Sequence, residues 1–588
     1  MKEFLKYTLA TITGIVLSGI VFFIIGVITI VGMFSNSSTE TVVSKNSVMT
    51  LHLNGTLSER SQDIPFAQYF SEEVSYGLDD ILASIKKAKE HENIKGIYIQ
   101  ASSLGASFAS LQEIRSALAD FKTSGKFIIA YADTYTQGLY YLSSIADEVL
   151  LNPVGAIEWR GIASQPMFFK NLLDKIGVKM QVFKVGTYKS AVEPYINTEM
   201  SQANREQVNA YISSIWNQLL EGVSASRNIS KDSLNSIADM MLLFHEAEDN
   251  IKYGLADTLI YKNNVRDYLK QKVGVEKDDR LNLLSLEDMV NVKRNTPKDK
   301  SGNIVAVYYA YGGIDMGNTS PGSEEGIVSS KVIRDLRKLK ENKNVKAVVF
   351  RVNSGGGSAY GSEQIWHAIK ELKAEKPVIV SMGDYAASGG YYISCEADCI
   401  VAQPTTLTGS IGIFGIIPNV EGLTNKVGLG FDVVKTNKFA DFGAMGRGLN
   451  NDEEALLQRM VNDGYNLFLT RCAEGREIAK DELAKYAEGR VWTGVTAKEL
   501  GLVDELGGLD RALEIAIEKA EIDNYTVMSY PEKKSFFTAL LETNTTDYVE
   551  SRVMKSNLGE YYKQFSILKN LRDMDFLQAR MPMELNIK

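Results

Sequence analysis

Histidine and cysteine are scarce in this chain, with four of the first and three of the second among 588 residues. The cysteines, Cys395, Cys399 and Cys472, are odd in number and lack both the paired CxxC spacing of a zinc site and the density of a disulfide framework, so nothing structural is expected to depend on them. His52, His91, His245 and His367 form no HxxxH or HExxH pair and none lies in a triad motif, which removes the usual signatures of a zinc hydrolase and of a histidine-based serine hydrolase. Excess positive charge is also missing. With 64 Lys and Arg against 73 Asp and Glu, the net charge is −9 and the pI about 5.4, which leaves no general electrostatic footprint for nucleic acid. The content of 45% hydrophobic and 23% charged residues is that of a folded globular chain and excludes bulk disorder.

One local extreme stands against this average. From Tyr7 to Phe34 there is no charged residue, and a helix over that run reaches about 40 Å, against about 30 Å for the hydrocarbon core of a bilayer. The run is longer than the apolar region of a cleaved signal peptide, so an uncleaved membrane anchor is expected. Lys2 and Lys6 precede it and the next basic residue is Lys45, which keeps the N-terminus in the cytoplasm. The rest of the chain would then lie in the periplasm, anchored to the inner membrane by a single pass, if the source has two membranes.

Beyond a short linker, β-rich and helix-period segments alternate, as in an α/β domain. Sliding the sequence on itself by 251 residues brings Ile94-Lys95-Gly96-Ile97 onto Val345-Lys346-Ala347-Val348, Gly105 onto Gly356, Asp133 onto Asp384, Tyr140-Tyr141 onto Tyr391-Tyr392 and Lys184 onto Lys435. The chain is a tandem duplication. The expected organisation is an N-terminus, anchor and linker over 1–47, a first repeat over 48–297, a second over 298–530, and a mainly helical C-terminal segment over 531–588 that includes Tyr561, Tyr562 and Phe565.

Features that differ between the copies are candidates for function. The second copy has Asn353-Ser354-Gly355-Gly356-Gly357-Ser358 where the first has Ser102-Ser103-Leu104-Gly105-Ala106-Ser107, and only the glycine-rich version can bring bare backbone N–H groups against a ligand. Ser388, in Gly383-Asp384-Tyr385-Ala386-Ala387-Ser388-Gly389-Gly390-Tyr391, stands where the first copy has Gln137. Between a strand and a helix it is placed either as a nucleophile or as an ordinary helix cap. Its base would not be a histidine, which leaves lysine. Lys189, in Lys184-Val185-Gly186-Thr187-Tyr188-Lys189-Ser190, belongs to the first copy, and its second-copy counterpart is Ala440. Burial in an apolar cleft is what would make its amine basic near neutral pH.

These motifs resemble those of the long, two-repeat bacterial signal peptide peptidases of the protease IV type. The resemblance rests on the anchor and the tracts around Lys189 and Ser388, together with Thr408-Gly409-Ser410-Ile411-Gly412 and Gly489-Arg490-Val491-Trp492-Thr493-Gly494. It implies an α/β fold, duplicated and related to Clp protease and the crotonases, and a serine endopeptidase that degrades cleaved signal peptides. Ser388 would be the nucleophile, Lys189 the general base and Ser410 a hydroxyl orienting Lys189, with Gly389 and either Gly356 or Gly357 in the oxyanion hole. No metal or organic cofactor is implied, and the partners are peptides, the membrane and three further copies in a homotetramer. The family loop usually has proline where this chain has Gly355. Two other classes compete. A crotonase-like acyl-CoA enzyme would share the oxyanion hole but use carboxylates, and a noncatalytic membrane scaffold would leave the complementary losses at Gln137 and Ala440 unexplained.

Overall fold

The computed structural model describes residues 2–35, 40–61, 75–293, 301–317, 326–533 and 576–581. Strands whose residues are apolar on both faces need cover on both sides, which favours parallel sheets flanked by helices. Ile128–Ala132 and Val378–Met382 are buried at every position, and each lies inside such a sheet. The first sheet has seven strands among the described residues, in the order Ser75–Gly77, Ser47–Ser58, Ile94–Gly105, Phe127–Tyr135, Glu148–Ile157 and Thr258–Leu259, with Leu283–Leu284 beside Ser47–Ser58. Among the same residues the second has eight. Its spine runs Leu407–Gly409, Val378–Ala387, Val345–Ser354, Ile304–Tyr311 and Thr526–Tyr530.

The duplication is visible element by element. Paired helices begin at residues 78 and 329 and at 108 and 359, and paired strands begin at 127 and 378 and at 148 and 399, each pair 251 apart. Ile365, Ile369 and Leu372, spaced at i, i+4 and i+7, form a buried apolar face of the helix Ala359–Lys373.

A third, six-stranded sheet joins the two repeats. Its order is Ile327–Val328, Ile314–Asp315, Gly356–Ser358, Leu577–Arg580, Phe414–Asn419 and Lys179–Lys184. Only the last strand comes from the first repeat, so this sheet is what carries first-repeat backbone up to the glycine loop of the second. The C-terminal segment departs from expectation here. Most of it, including Tyr561, Tyr562 and Phe565, lies outside the described residues, but Leu577–Arg580 is a strand rather than a helix. Two open sheet edges capture it, and antiparallel pairing on both sides overrides local helical pattern.

A buried ion cluster also ties the repeats together. Arg351, 1% exposed in the second repeat, donates to Glu59 Oε2 at 3.0 Å and Glu113 Oε2 at 2.8 Å, both carboxylates belonging to the first repeat. Burial pushes the Glu59 carboxyl up even though Arg351 pulls it down. Asn353, two residues on, donates to Glu59 Oε1 at 2.8 Å and accepts from the Tyr385 N–H at 3.1 Å, so the cluster reaches the strand that ends at Ser388.

The N-terminal run forms one helix, Lys2–Ser35. Its Ile15, Leu17 and Phe22 side chains are exposed. The side chains of residues 2, 5, 9, 23, 24 and 27–35 fall outside the described set, and among the described residues no helix is long and apolar enough to cross a membrane.

Arg351→Ala leaves two buried carboxylates without their cation and is expected to lower stability by about 3–5 kcal/mol, read as a shift in the urea unfolding midpoint.

Candidate active site

Val378–Ala387 runs parallel between Val345–Ser354 and Leu407–Gly409 and delivers Ser388 at its C-terminal end, before the short helix Gly389–Tyr392. Ser388 has φ 55° and ψ −112°, a conformation that costs a non-glycine residue on the order of 1–3 kcal/mol and must be held from outside. Its N–H donates to Gly409 O at 2.8 Å and its carbonyl accepts from Tyr392 N–H at 2.8 Å. The side chain makes no capping hydrogen bond. Of the two roles open to this serine, the cap is therefore not the one its side chain takes.

What the Oγ meets is the lysine. Lys189 Nζ lies 2.8 Å from Ser388 Oγ and 3.1 Å from both Ser410 Oγ and Ser410 O, so a neutral amine can donate its two N–H groups to Ser410 and accept from the Ser388 hydroxyl. All three residues are fully buried. The first repeat places this amine by sending Lys179–Lys184 antiparallel along Phe414–Asn419, after which Tyr188 N–H donates to Glu488 O at 3.0 Å and turns the chain into the cleft. The lysine stem then lies on bare backbone. A Cβ at Gly489 would come within 2.7 Å of Lys189 Cβ, and Gly489 also has φ 78°, so this position is confined to glycine twice over.

The glycine loop comes up on the other side of Ser388. Gly356 has φ 96°, and a Cβ there would lie 2.6 Å from Gly389 N. Its own N–H donates to Ser354 Oγ at 3.1 Å. Gly357 faces Ala579 of the C-terminal strand. Met581 N–H donates to Gly355 O at 2.7 Å, and because bonded and non-bonded pairs alternate along an antiparallel ladder, Gly357 and Ala579 form the next bonded pair. The N–H of Gly357 thus points to the Ala579 carbonyl, which lies 3.0 Å from the place a Cβ on Gly389 would occupy.

Residues 120–276 and 370–523 match the family model described as peptidase family S49, one segment in each repeat. The chain belongs to peptidase family S49. It is similar to Protease 4 of Salmonella typhi, at 39% identity over 80% of this chain and 76% of the relative, and to Protease 4 of Haemophilus influenzae, at 32% over 94% and 93%. The chloroplastic serine protease SPPA of Arabidopsis thaliana is 33% identical over 92% of this chain and 78% of its own. A solved ClpP1 mutant from Listeria monocytogenes aligns with 36% of this chain and 95% of its own at 16% identity, with a TM-score of 0.23.

As a member of S49 the chain is a serine peptidase, and the sequence places its candidate nucleophile and base 199 residues apart. The fold brings together Ser388, Lys189, Ser410, Gly389, Gly356 and Gly357, every residue singled out in the sequence. Reading the sequence did not find the seat of the lysine. Gly186, where a Cβ would come within 2.4 Å of Glu488 O, and Gly489 build it from opposite repeats. A Gly489 preceding the Arg490-Val491-Trp492 tract was the available signal, and its distance in sequence from Lys189 concealed the link.

Burial holds the Lys189 amine well below the usual lysine range, and among the described residues no carboxylate is placed to restore its charge. Between that lowered pKa and the ordinary value of about 10.4, the unfolded chain binds one more proton than the folded one. Stability attributable to this residue therefore rises with pH across the window and is complete above it. The stability difference between the native chain and Lys189→Met is expected to rise by about 1.4 kcal/mol per pH unit there, measured by urea unfolding at a series of pH values. A flat difference would mean that the amine is charged in the folded protein.

Proposed function

We propose that this S49 peptidase degrades cleaved signal peptides through a Ser388/Lys189 dyad. The observation that carries the reading is the 2.8 Å contact between a buried lysine amine and a buried, strained serine. Neutral Lys189 takes the Ser388 proton as Oγ attacks the peptide carbonyl, and returns it to the leaving amine. Ser410, bonded to Nζ through its hydroxyl and its carbonyl, fixes the direction of the amine lone pair. The oxyanion is met by the N–H groups of Gly389 and of the glycine loop at Gly356 or Gly357. Water then hydrolyses the acyl-enzyme.

The same reading takes 48–297 and 298–530 as the repeats and the charge-free Tyr7–Phe34 as a single-pass anchor with the catalytic part in the periplasm, close to peptides left in the membrane. Assembly into a homotetramer is supported by an asymmetry between the copies. Val178 and Phe183 of the first repeat are 8% and 5% exposed, packed with second-repeat residues, whereas Leu429 and Val434, 251 positions further on, are 55% and 100% exposed. The second repeat thus offers the surface that the first has already covered, and another copy of the chain is the natural cover.

Ser388→Ala and Lys189→Ala are each expected to lower kcat by roughly 10⁴-fold or more on an apolar peptide while the circular dichroism spectrum is retained. Ser410→Ala, which removes one hydrogen bond, should cost about tenfold. Acylation of Ser388 by a fluorophosphonate should rise with pH through a midpoint below the ordinary lysine range; a midpoint near 10.4 would remove Lys189 as the base. Val434→Asp should shift the full chain in detergent to smaller species by light scattering.

A further inference from the structure

The amide of one glutamine bridges the root of the lysine to the strands that hold the serine. Gln207 lies in the first-repeat helix Gln202–Arg227 and is 1% exposed. Its Nε2 donates to Tyr188 O at 3.0 Å and to Ser190 Oγ at 2.9 Å, the residues immediately before and after Lys189, with Asn204 Oδ1 a third acceptor at 3.2 Å. On the other side of the amide, Oε1 accepts from the Val491 N–H of the second repeat at 3.2 Å. These partners fix which way the amide faces, because the reverse would set its oxygen against the Tyr188 carbonyl and its NH2 against an N–H. Strand geometry explains why Val491 can make this bond. Ser410 N–H donates to Arg490 O at 2.7 Å, and bonded and non-bonded pairs alternate along an antiparallel ladder, so the N–H of Val491, opposite Gly409, points away from that strand and toward the helix. Gly409 in turn accepts the Ser388 N–H at 2.8 Å.

We propose that Gln207 is a positioning residue for the dyad, holding the residues on both sides of Lys189 to the strand Val491–Thr493 and, through Leu407–Gly409, to Ser388. The inference rests on the assignment of Lys189 as the base for Ser388. The amine ends a long flexible stem, so its place is set where the stem is rooted and where it is seated. Gln207 joins the two, since the root lies between Tyr188 and Ser190 and the seat, Gly489, is two residues before Val491. The amide is itself held in line. Asn204 donates through Nδ2 to Glu193 Oε2 at 3.0 Å, and Glu193 also accepts from the Ser201 N–H at 3.1 Å. Duplication supplies a control. The helix Asn451–Gly475 buries Leu457, Phe468 and Leu469 where the first-repeat helix buries Val208, Leu219 and Leu220, and its sixth residue, matching Gln207, is Leu456, 52% exposed. The copy that lacks the lysine also lacks the glutamine.

Kinetics of the full chain in detergent test this. Gln207→Met keeps the length and bulk of the side chain and removes the amide; kcat for a short apolar fluorogenic peptide should fall on the order of 10²-fold with KM unchanged within about twofold, since a displaced amine misses the Ser388 proton while peptide binding is untouched. Fluorophosphonate labelling of Ser388 should slow in parallel. Ser190→Ala takes away one acceptor and leaves the amide its other partners, so it folds whatever the fate of Gln207→Met, and should cost roughly fivefold in kcat. In a Lys189→Ala background, adding either substitution should leave the slow residual labelling of Ser388 unchanged, because a residue that acts through the amine then has nothing to place. Equal losses with and without the lysine, losses carried by KM, or unchanged kcat in both variants overturn the positioning role. A Lys189→Ala chain that labels at the full rate overturns the dyad instead.

Discussion

A lysine amine held out of water without a carboxylate partner is the constraint around which the molecule is arranged. Taking an ammonium into such a place is costly, and the charged form is what gives way. Excluding water from Lys189 takes backbone from both repeats, with Gly186 and the stem coming from the first and Gly412, Ser410 and Gly489 from the second. Neither repeat alone encloses it. The seam between them is correspondingly elaborate, with an antiparallel strand pair on one side of the site and the Arg351, Glu59 and Glu113 cluster behind it. Asn353 connects that cluster to the backbone ahead of Ser388, so the geometry at the nucleophile depends on the docking of the whole first repeat.

Duplication made the site legible in the sequence. The register of 251 residues persists in the starts of helices and strands, and two of the places where the copies differ, Gln137 against Ser388 and Lys189 against Ala440, supply the side chains that meet at 2.8 Å. Gln137 has become structural, accepting from the N–H groups of Arg160 and Gly161. What the sequence concealed was long-range backbone packing. Ser388 follows the pattern of a helix cap, and only a left-handed φ held by Gly409 turns its side chain toward the amine. Helical periodicity near the C-terminus likewise says nothing of open sheet edges elsewhere that convert its last described residues to a strand.

The membrane and assembly readings stand on different ground from the dyad. The dyad is a matter of distances within one chain. The anchor rests on the charge-free N-terminal run, and assembly on apolar residues such as Leu429 and Val434 whose first-repeat counterparts are covered. On the proposed reading, assembly follows from the duplication, because the second repeat exposes Leu429 and Val434 where the first repeat has covered Val178 and Phe183. Heterologous contacts of this kind extend until a ring closes.

The strand edges beside Ser388, Gly356–Ser358 and Phe414–Asn419, have a further consequence for the proposed function. A slot bounded by two strand edges admits backbone only if that backbone has surrendered its own hydrogen bonds, so a helix still seated in the bilayer or a folded domain cannot enter. Under the proposed function, folded chains are turned away before any side chain is read. Entry follows from whether a polypeptide has anything better to do with its amides.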